Sequence, residues 1–372
     1  MKYKKLTTKN FISILSDDVL EQAELSIKPI EPYKIEDIRE STLGKKTIYK
    51  LTPAKAQYLE KLNLKFFNNI ETNNAAIAYN GKSYLDMFEP HRKNSNFLRL
   101  DIKSFFHSIN RDTLKNSLSA YVNDEYFFKE GKVKQSLLDA LLNLISLRVT
   151  KDYKDKTLHE KDVLPIGFKS SPAISNIVFR KFDIMLQELC SRNDISYTRY
   201  ADDMFFSSPI TNHFLHTDKF LLEVSYILSL GGFSINKSKT IKDKKMTSIN
   251  GYVIDSTIEG MQGYIRISEK KTKKIYKLIY MAEKNIPPST ILNRIFKIKN
   301  SDIKYKYSKE KDKFKDQFYH SQVLNRITGY RAYLISLIKY NNKYSCIKDE
   351  HISEYQELIK KLEKIIYKMA RR

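Results

Sequence analysis

Cysteine is almost absent from this chain. Its two copies, Cys190 and Cys346, lie far apart and without a metal-ligand spacing. That excludes a disulfide framework and a structural zinc site, and it fits a reducing compartment. The seven histidines form no HxxxH or similar cluster, which removes the other common zinc signature. Glycine and proline are scarce as well, ten and nine, so no flexible linker announces itself, and no internal repeat or low-complexity segment is legible. The longest apolar run, LLDALLNLISL from Leu137 to Leu147, is broken by Asp139 and Asn143 and is too short to span a bilayer. The opening residues, MKYKKLTTKNFISILSDD, are basic but lack a long apolar region and a small-residue cleavage site, as a secretory signal would not. The expectation is a cytoplasmic protein with no membrane partner.

What the chain has in excess is positive charge, +23 in 372 residues. Such a surplus points to a polyanionic partner, nucleic acid first and an anionic membrane second, against the plainer reading of a solvated basic surface. Hydrophobic residues make up 41% and aromatics 12%, enough to bury a substantial core and to exclude a largely disordered protein.

The outline is a mixed α/β body followed by a helical, basic C-terminal part. In TPAKAQYLEKLNLKFFNNI, Thr52 is placed to cap a helix, Pro53 suits its first turn, and Tyr58, Leu59, Leu62, Phe66 and Ile70 recur at helical spacing. NFLRLDIKSFF alternates instead, with Leu98, Leu100 and Ile102 facing one way and Arg99, Asp101 and Lys103 the other, as in a half-buried strand. Beyond residue 255, Ile275, Leu278, Ile279 and Ala282 form one helical face ringed by lysines, and Ile352 to Met369 reads as a strongly amphipathic helix. The segment Lys297 to His320 mixes charge with Tyr and Phe, and reads either as a nucleic-acid-facing loop or as a solvated connection.

RYADDMFFSS, Arg199 to Ser208, carries the central question. Two adjacent aspartates, Asp202 and Asp203, stand between strand-like runs, so a hairpin tip presents carboxylates that neither strand would keep buried. Alone this is an acidic turn. Asp101, on the polar face of a strand about one hundred residues upstream, changes the reading. Three converging carboxylates hold two divalent ions roughly 3.5–4 Å apart, the arrangement that activates a 3′-hydroxyl and steadies a pyrophosphate leaving group. Oxygen ligands of this kind favour Mg²⁺, with Mn²⁺ as a substitute. Between the acids stands LPIGFKSSPAISNIVF, Leu164 to Phe179, where Gly167 permits close backbone approach and a helix begins near Ser171–Pro172, suited to a phosphate or sugar edge. GGFSINKSKT, Gly231 to Thr240, offers lysines for the departing pyrophosphate.

The order LRLDIKSFFHSI, LPIGFKSSPAISN, YTRYADD, GFSINKSKT, INGYVID resembles the palm of a reverse transcriptase, most closely the bacterial retron, group II intron and phage-defence group. The resemblance implies an α+β right-hand polymerase. It would have an N-terminal extension and fingers over 1–96, a palm with an antiparallel sheet over 97–255 that carries a finger insertion at about 114–163, and a helical basic thumb over 256–372. It implies Asp101, Asp202 and Asp203 as metal ligands, and Phe106 as the aromatic gate that excludes a 2′-hydroxyl, with either Phe105 or Phe106 in the core. Lys46 in GKKTI and Lys82 in YNGKS match the basic finger positions, although Lys lacks the bidentate fork of Arg. Ile166, Gly167 and Ser171 would border the nucleotide, Lys239 (or Lys237) would serve the leaving group, and Asn250–Gly251 would form the primer grip. The partners implied are an RNA template, a DNA primer and product, and dNTPs, with a second copy of the chain or a partner defence protein left open.

Ile166 departs from the family's usual Gln, and an apolar residue makes no hydrogen bond to the sugar. Of the retron NAxxH pattern only His91 aligns, VTG is replaced by Ile249–Asn250–Gly251, and no maturase-like, HNH or RNase H segment is legible. The expectation is therefore a phage-defence enzyme copying a dedicated non-coding RNA, ahead of a retron enzyme. Template-independent or protein-primed synthesis by the same palm, and a maturase-like RNA-binding scaffold, are the alternatives.

Overall fold

The computed structural model of the protein describes residues 5–44, 46–77, 81–257, 262–299 and 311–371. Lys45, the Tyr79–Asn80 start of YNGKS and residues 300–310 of the charged segment lie outside the described residues. The chain divides into two compact units, 1–87 with 98–242, and 88–97 with 243–372.

In the first unit, α1 (Thr8–Leu15) and α2 (Val19–Ser26) precede a hairpin of β1 (Ile38–Leu43) and β2 (Lys46–Leu51), followed by α3 (Pro53–Lys65). Thr52 sits at the N-cap of α3 with Pro53 behind it, but its side chain makes no capping bond. Next come β3 (Asn96–Asp101), α4 (Arg111–Leu118), the hairpin β4 (Tyr126–Glu130) with β5 (Val133–Ser136), and α5 (Leu137–Ile145). The hairpin β6 (Leu147–Val149) with β7 (Lys161–Val163) leads into the long α6 (Ser171–Ser191), then β8 (Ser196–Tyr200), β9 (Asp203–Ser208) and α7 (Asp218–Ser229). With β10 (Ile241–Lys244), these strands make a four-stranded sheet in the order β10-β3-β9-β8.

β3 is not the half-buried strand its alternation predicts. Leu98 and Leu100 are fully buried with Asn96 on their face, but Phe97 and Asp101 on the other face are covered as well, and only Arg99 is partly open. On that second face the Asp101 carboxylate is taken up by Asn236 and Lys239, which donate to it at 3.1 and 2.7 Å. Behind the sheet, Phe105, Phe179, Phe182 and Phe233 interlock with ring centres 5.2–5.7 Å apart, each burial contributing about 1.5–3 kcal/mol.

The second unit carries an antiparallel sheet of β11 (Met246–Ile249), β12 (Tyr252–Asp255) and β13 (Tyr264–Ile267), then α8 (Glu269–Glu283), α9 (Pro288–Phe296), α10 (Lys311–Tyr344) and α11 (Asp349–Ala370). Ile249 faces Tyr252 across a two-residue turn in which Asn250 and Gly251 both have positive φ, +51° and +90°. An Asn-Gly pair suits such a tight hairpin because both residues tolerate that backbone region. Ile275, Leu278 and Ile279 form the buried face of α8, and Tyr355, Leu358, Leu362 and Ile365 that of α11. Residues 311–320, read from the sequence as loop or connection, are instead the first turns of α10, in which Tyr319, Val323 and Ile327 are buried at helical spacing.

Candidate polymerase site

The tip of the β8–β9 hairpin is Ala201–Asp202, since Tyr200 pairs directly with Asp203. Ala201 has φ +51°, a region that is costly for a residue with a Cβ, so something must hold the turn. Arg199 does. Its guanidinium, wholly buried, donates to the Ala201 carbonyl at 3.0 Å and makes two bonds to the equally buried Asp183 of α6, at 2.9 and 2.7 Å. The Tyr197 hydroxyl donates to the same carboxylate at 2.8 Å, and the guanidinium lies 4.4 Å from the centre of the Phe179 ring.

Backbone bonds then bring distant segments to this tip. Ile102 N donates to the Asp202 carbonyl at 2.9 Å, and Asn236 N donates to the Asp101 carbonyl at 2.7 Å. These two bonds set the end of β3 beside the aspartate turn on one side and beside the Lys237–Lys239 turn on the other. The β1–β2 hairpin is tied in by Tyr49 N, which donates to the Ile166 carbonyl at 2.8 Å. Gly167 makes that approach possible. Its φ is +108°, and a Cβ there would stand 2.5 Å from the Tyr49 carbonyl oxygen and 2.6 Å from Ile48. The close approach that Gly167 permits in this structure is to β2.

The result is a cavity of about 290 Å³ whose wall includes Asp101, Asp202, Lys46, Lys239, Phe106 and Ile166. Lys239 Nζ lies 2.7 Å from Asp101, and Lys46 Nζ lies 3.6 Å from Asp202. The hydrogen bond to Asp101, opposed by slight desolvation and reinforced by the charges of Asp101, Asp202 and Asp203, raises the Lys239 pKa above the ordinary lysine value. Of the adjacent phenylalanines, Phe105 is the core residue, and Phe106 is partly open and faces the cavity.

Other expected residues do not meet there. Asp203, the first residue of β9, turns to Arg99, whose guanidinium donates to it at 2.7 and 3.1 Å. Among the described residues no three acidic, His or Cys side chains group as a metal site, so the three-carboxylate cluster is drawn as two acids on the cavity and one beside Arg99. Ser171 is buried, and its hydroxyl donates to the Pro165 carbonyl at 2.7 Å, bracing the turn before α6. Lys82 donates to the Asn74 carbonyl at 2.5 Å, and burial lowers its pKa. Neither belongs to the cavity wall, nor does Lys237. Asn250 and Gly251 belong to the other unit.

The structure adds residues the sequence did not single out. Arg99 and Arg199 sit in strands, where an arginine reads as surface. Asn236 donates to Asp101 at 3.1 Å, and Lys103, exposed, lines the cavity two residues after Asp101. His107 and Asp155 border it as well, with the His107 pKa lowered mainly by burial. Position next to Asp101 was the available signal for Lys103. Nothing in the sequence marked Asp155.

The model of the family described as reverse transcriptase (RNA-dependent DNA polymerase) matches residues 42–253, more than half of the chain. The Retron Ec83 reverse transcriptase of Escherichia coli is 31% identical over 185 residues, 50% of this chain and 55% of that one. The Retron Ec73 reverse transcriptase of the same organism is 29% identical over 184 residues, 48% and 54% of the two chains. The Retron Mx162 reverse transcriptase of Myxococcus xanthus is 27% identical over 190 residues, 47% and 37%. The chain thus spans about half or less of the length of these curated relatives. No helix among the described residues is long and apolar enough to cross a membrane. The α+β right-hand fold expected from the sequence is the fold of the matched family. The matched span contains every element that brings Lys46, Asp101, Asp202 and Lys239 to the cavity, and the chain belongs to the reverse transcriptase family.

Proposed function

We propose that this protein is an RNA-directed DNA polymerase, and that it copies an associated non-coding RNA in anti-phage defence. The observation that carries the activity is the convergence of Asp101, Asp202, Lys46, Lys239 and Phe106 on one cavity. Fingers over 1–96, palm over 97–255 and thumb over 256–372 remain the proposed division of labour. The relatives named as retron enzymes weigh toward a retron setting, which the sequence motifs placed second.

Asp101 and Asp202 fit a pair of Mg²⁺ or Mn²⁺ ions, since both offer carboxylate oxygens to the same cavity and both now carry cationic partners there. Such ions, when bound, activate the primer 3′-hydroxyl and neutralise the leaving pyrophosphate. The chain's own residues do the rest. Lys46, more than half exposed, swings from Asp202 to the triphosphate. Phe106 fills the space a 2′-hydroxyl would need, and Ile166 gives the sugar an apolar wall in place of a hydrogen bond. As the 3′-hydroxyl loses its proton to solvent, its oxygen bonds to the α-phosphorus and the α–β bridge breaks, Lys239 gives its proton to the departing bridging oxygen. Asp203 adds charge to the same field with Arg99 as its partner.

The test is Mg²⁺-dependent incorporation of labelled dNTPs, with NTPs in parallel, by protein purified with its native RNA. The Asp202→Ala/Asp203→Ala protein is the control. Incorporation of dNTPs that the control loses supports the reading, and sequencing the product identifies the template. Equal incorporation by the control would sink it, and product that stays attached to protein after denaturation would indicate protein priming.

A further inference from the structure

The chemistry above leaves one acid of the cavity wall without a role. Asp155 lies in the segment between β6 and β7, which is fastened to the β1–β2 hairpin. Lys154 N donates to both carboxylate oxygens of Glu40, at 3.1 and 3.2 Å, and the buried Tyr153 ring meets that of Tyr49 edge-on with centres 5.8 Å apart. Asp155 Oδ1 accepts from the Thr157 hydroxyl at 2.6 Å and from Thr157 N at 3.1 Å. The Thr47 hydroxyl of β2 donates to the same carboxylate. A carboxylate accepts about four hydrogen bonds, so these donors hold the acid in place and leave it acceptor capacity.

Charge narrows what this acid can meet. Burial raises its pKa, but the bonds from Thr157 and Thr47 and the nearby His107 outweigh burial and hold it below the ordinary carboxylate value. Among the described residues no lysine or arginine pairs with it, whereas Asp101 has Lys239 and Asp202 has Lys46. An ionised acid without a cation repels a triphosphate and attracts a hydrogen-bond donor. The base edges of the four deoxynucleotides differ, and the one donor that all four share is the 3′-hydroxyl. The neighbours of Asp155 suit a sugar. His107, which feels its charge, directly follows Phe106, and both line the cavity with Ile166, which offers the sugar no hydrogen bond.

We propose that the Asp155 carboxylate accepts a hydrogen bond from the 3′-hydroxyl of the incoming deoxynucleotide and so selects substrates that can be extended. The proposal rests on the polymerase reading and adds a second sugar check within the same unit. Phe106 excludes a 2′-hydroxyl, and Asp155 asks for the 3′-hydroxyl.

The experiment is competition between dTTP and 2′,3′-dideoxy-TTP for addition to a labelled primer on an RNA template, with the full chain and Mg²⁺. Asp155→Ser is the informative variant, because Ser keeps an oxygen for the Thr157 N–H, as helix caps do, but removes the carboxylate. Its preference for dTTP falls about tenfold to a hundredfold, the worth of one hydrogen bond to a charged group, through a lower kcat/KM for dTTP alone. Asp155→Asn keeps a neutral acceptor and an intermediate preference. Asp152→Ser, in the same segment but off the cavity wall, keeps the whole preference. Equal losses for the two nucleotides in Asp155→Ser, as a purely structural cap would give, would overturn the proposal, and so would an unchanged preference. Thr157→Val separates the contact from the fold of the segment. It removes one bond that steadies the turn and leaves the carboxylate, so the preference survives even where the thermal midpoint drops. A preference lost there as in Asp155→Ser means that Asp155 only shapes the segment, and the proposal fails. Wild-type protein that adds neither nucleotide would refute the polymerase reading itself, whereas addition of both without dependence on Asp155 refutes the 3′-hydroxyl contact alone.

Discussion

Gly167→Ala is the sharpest test of how the cavity is built. Two costs add. The backbone at φ +108° lies outside the ordinary range of a residue with a Cβ, worth about 1–3 kcal/mol. The new Cβ meets the Tyr49 carbonyl at 2.5 Å and Ile48 at 2.6 Å, an overpacking cost of about 1–3 kcal/mol because backbone, not a flexible side-chain end, stands in the way. Reduced freedom of the unfolded chain returns about 0.4–1 kcal/mol. The net is roughly 1–5.5 kcal/mol, read as a lower urea midpoint at unchanged m-value. The displaced strand is β2, which carries Lys46 three residues before Tyr49. A shift of about 1 Å at a positioning strand lowers turnover of dNTPs by up to about a hundredfold. A loss below about 0.5 kcal/mol with unchanged kcat/KM would refute the view that Gly167 exists to let the Ile166 turn lie on β2.

Other outcomes follow from the same geometry. Asp183→Ala strands the Arg199 charge in the core and costs about 3–5 kcal/mol, while Asp183→Leu/Arg199→Met recovers most of it, a non-additivity that denaturant melts of both proteins measure. Phe106→Ala raises ribonucleotide incorporation relative to dNTPs at least tenfold in competition assays; an unchanged ratio removes Phe106 as the gate. His91 is fully buried, which pushes its pKa down to about 3. A depressed histidine contributes stability that is complete above the unfolded pKa of about 6.5 and is lost as pH falls from there toward 3. His91→Leu therefore flattens the dependence of the urea midpoint on pH between 7 and 4, and an equally steep dependence would assign it to other groups.

Much of the fold was legible because its signals are local. The aspartate hairpin, the helix starting at Ser171 and the amphipathic C-terminal helix each declare themselves within a short window. Contacts made across the fold were not legible. Asp203 looks equivalent to Asp202 in sequence, but pairing across the turn leaves Asp202 at the tip and turns Asp203 to Arg99. Ser171 has the composition of a phosphate-binding helix start, yet its hydroxyl is used by Pro165, six residues back. Lys82 keeps its charge but donates to Asn74. Residues 311–320 hid a helix because their lysines and aspartates masked a face continued by Val323 and Ile327.

The buried Arg199–Asp183 pair also bears on which hairpin forms. Slipping β8 by one residue against β9 would move every side chain of the strand to the opposite face. Arg199 would then lose Asp183, and a charge without its partner in the core is among the most costly of errors. An apolar pair of similar size would tolerate both registers far more evenly. The return on burying these charges is therefore uniqueness rather than net stability: it decides that Asp202, and not a neighbour, occupies the tip. A chain carrying Leu and Met at the two positions is expected to fold and yet show two sets of hairpin resonances, one for each aspartate presented.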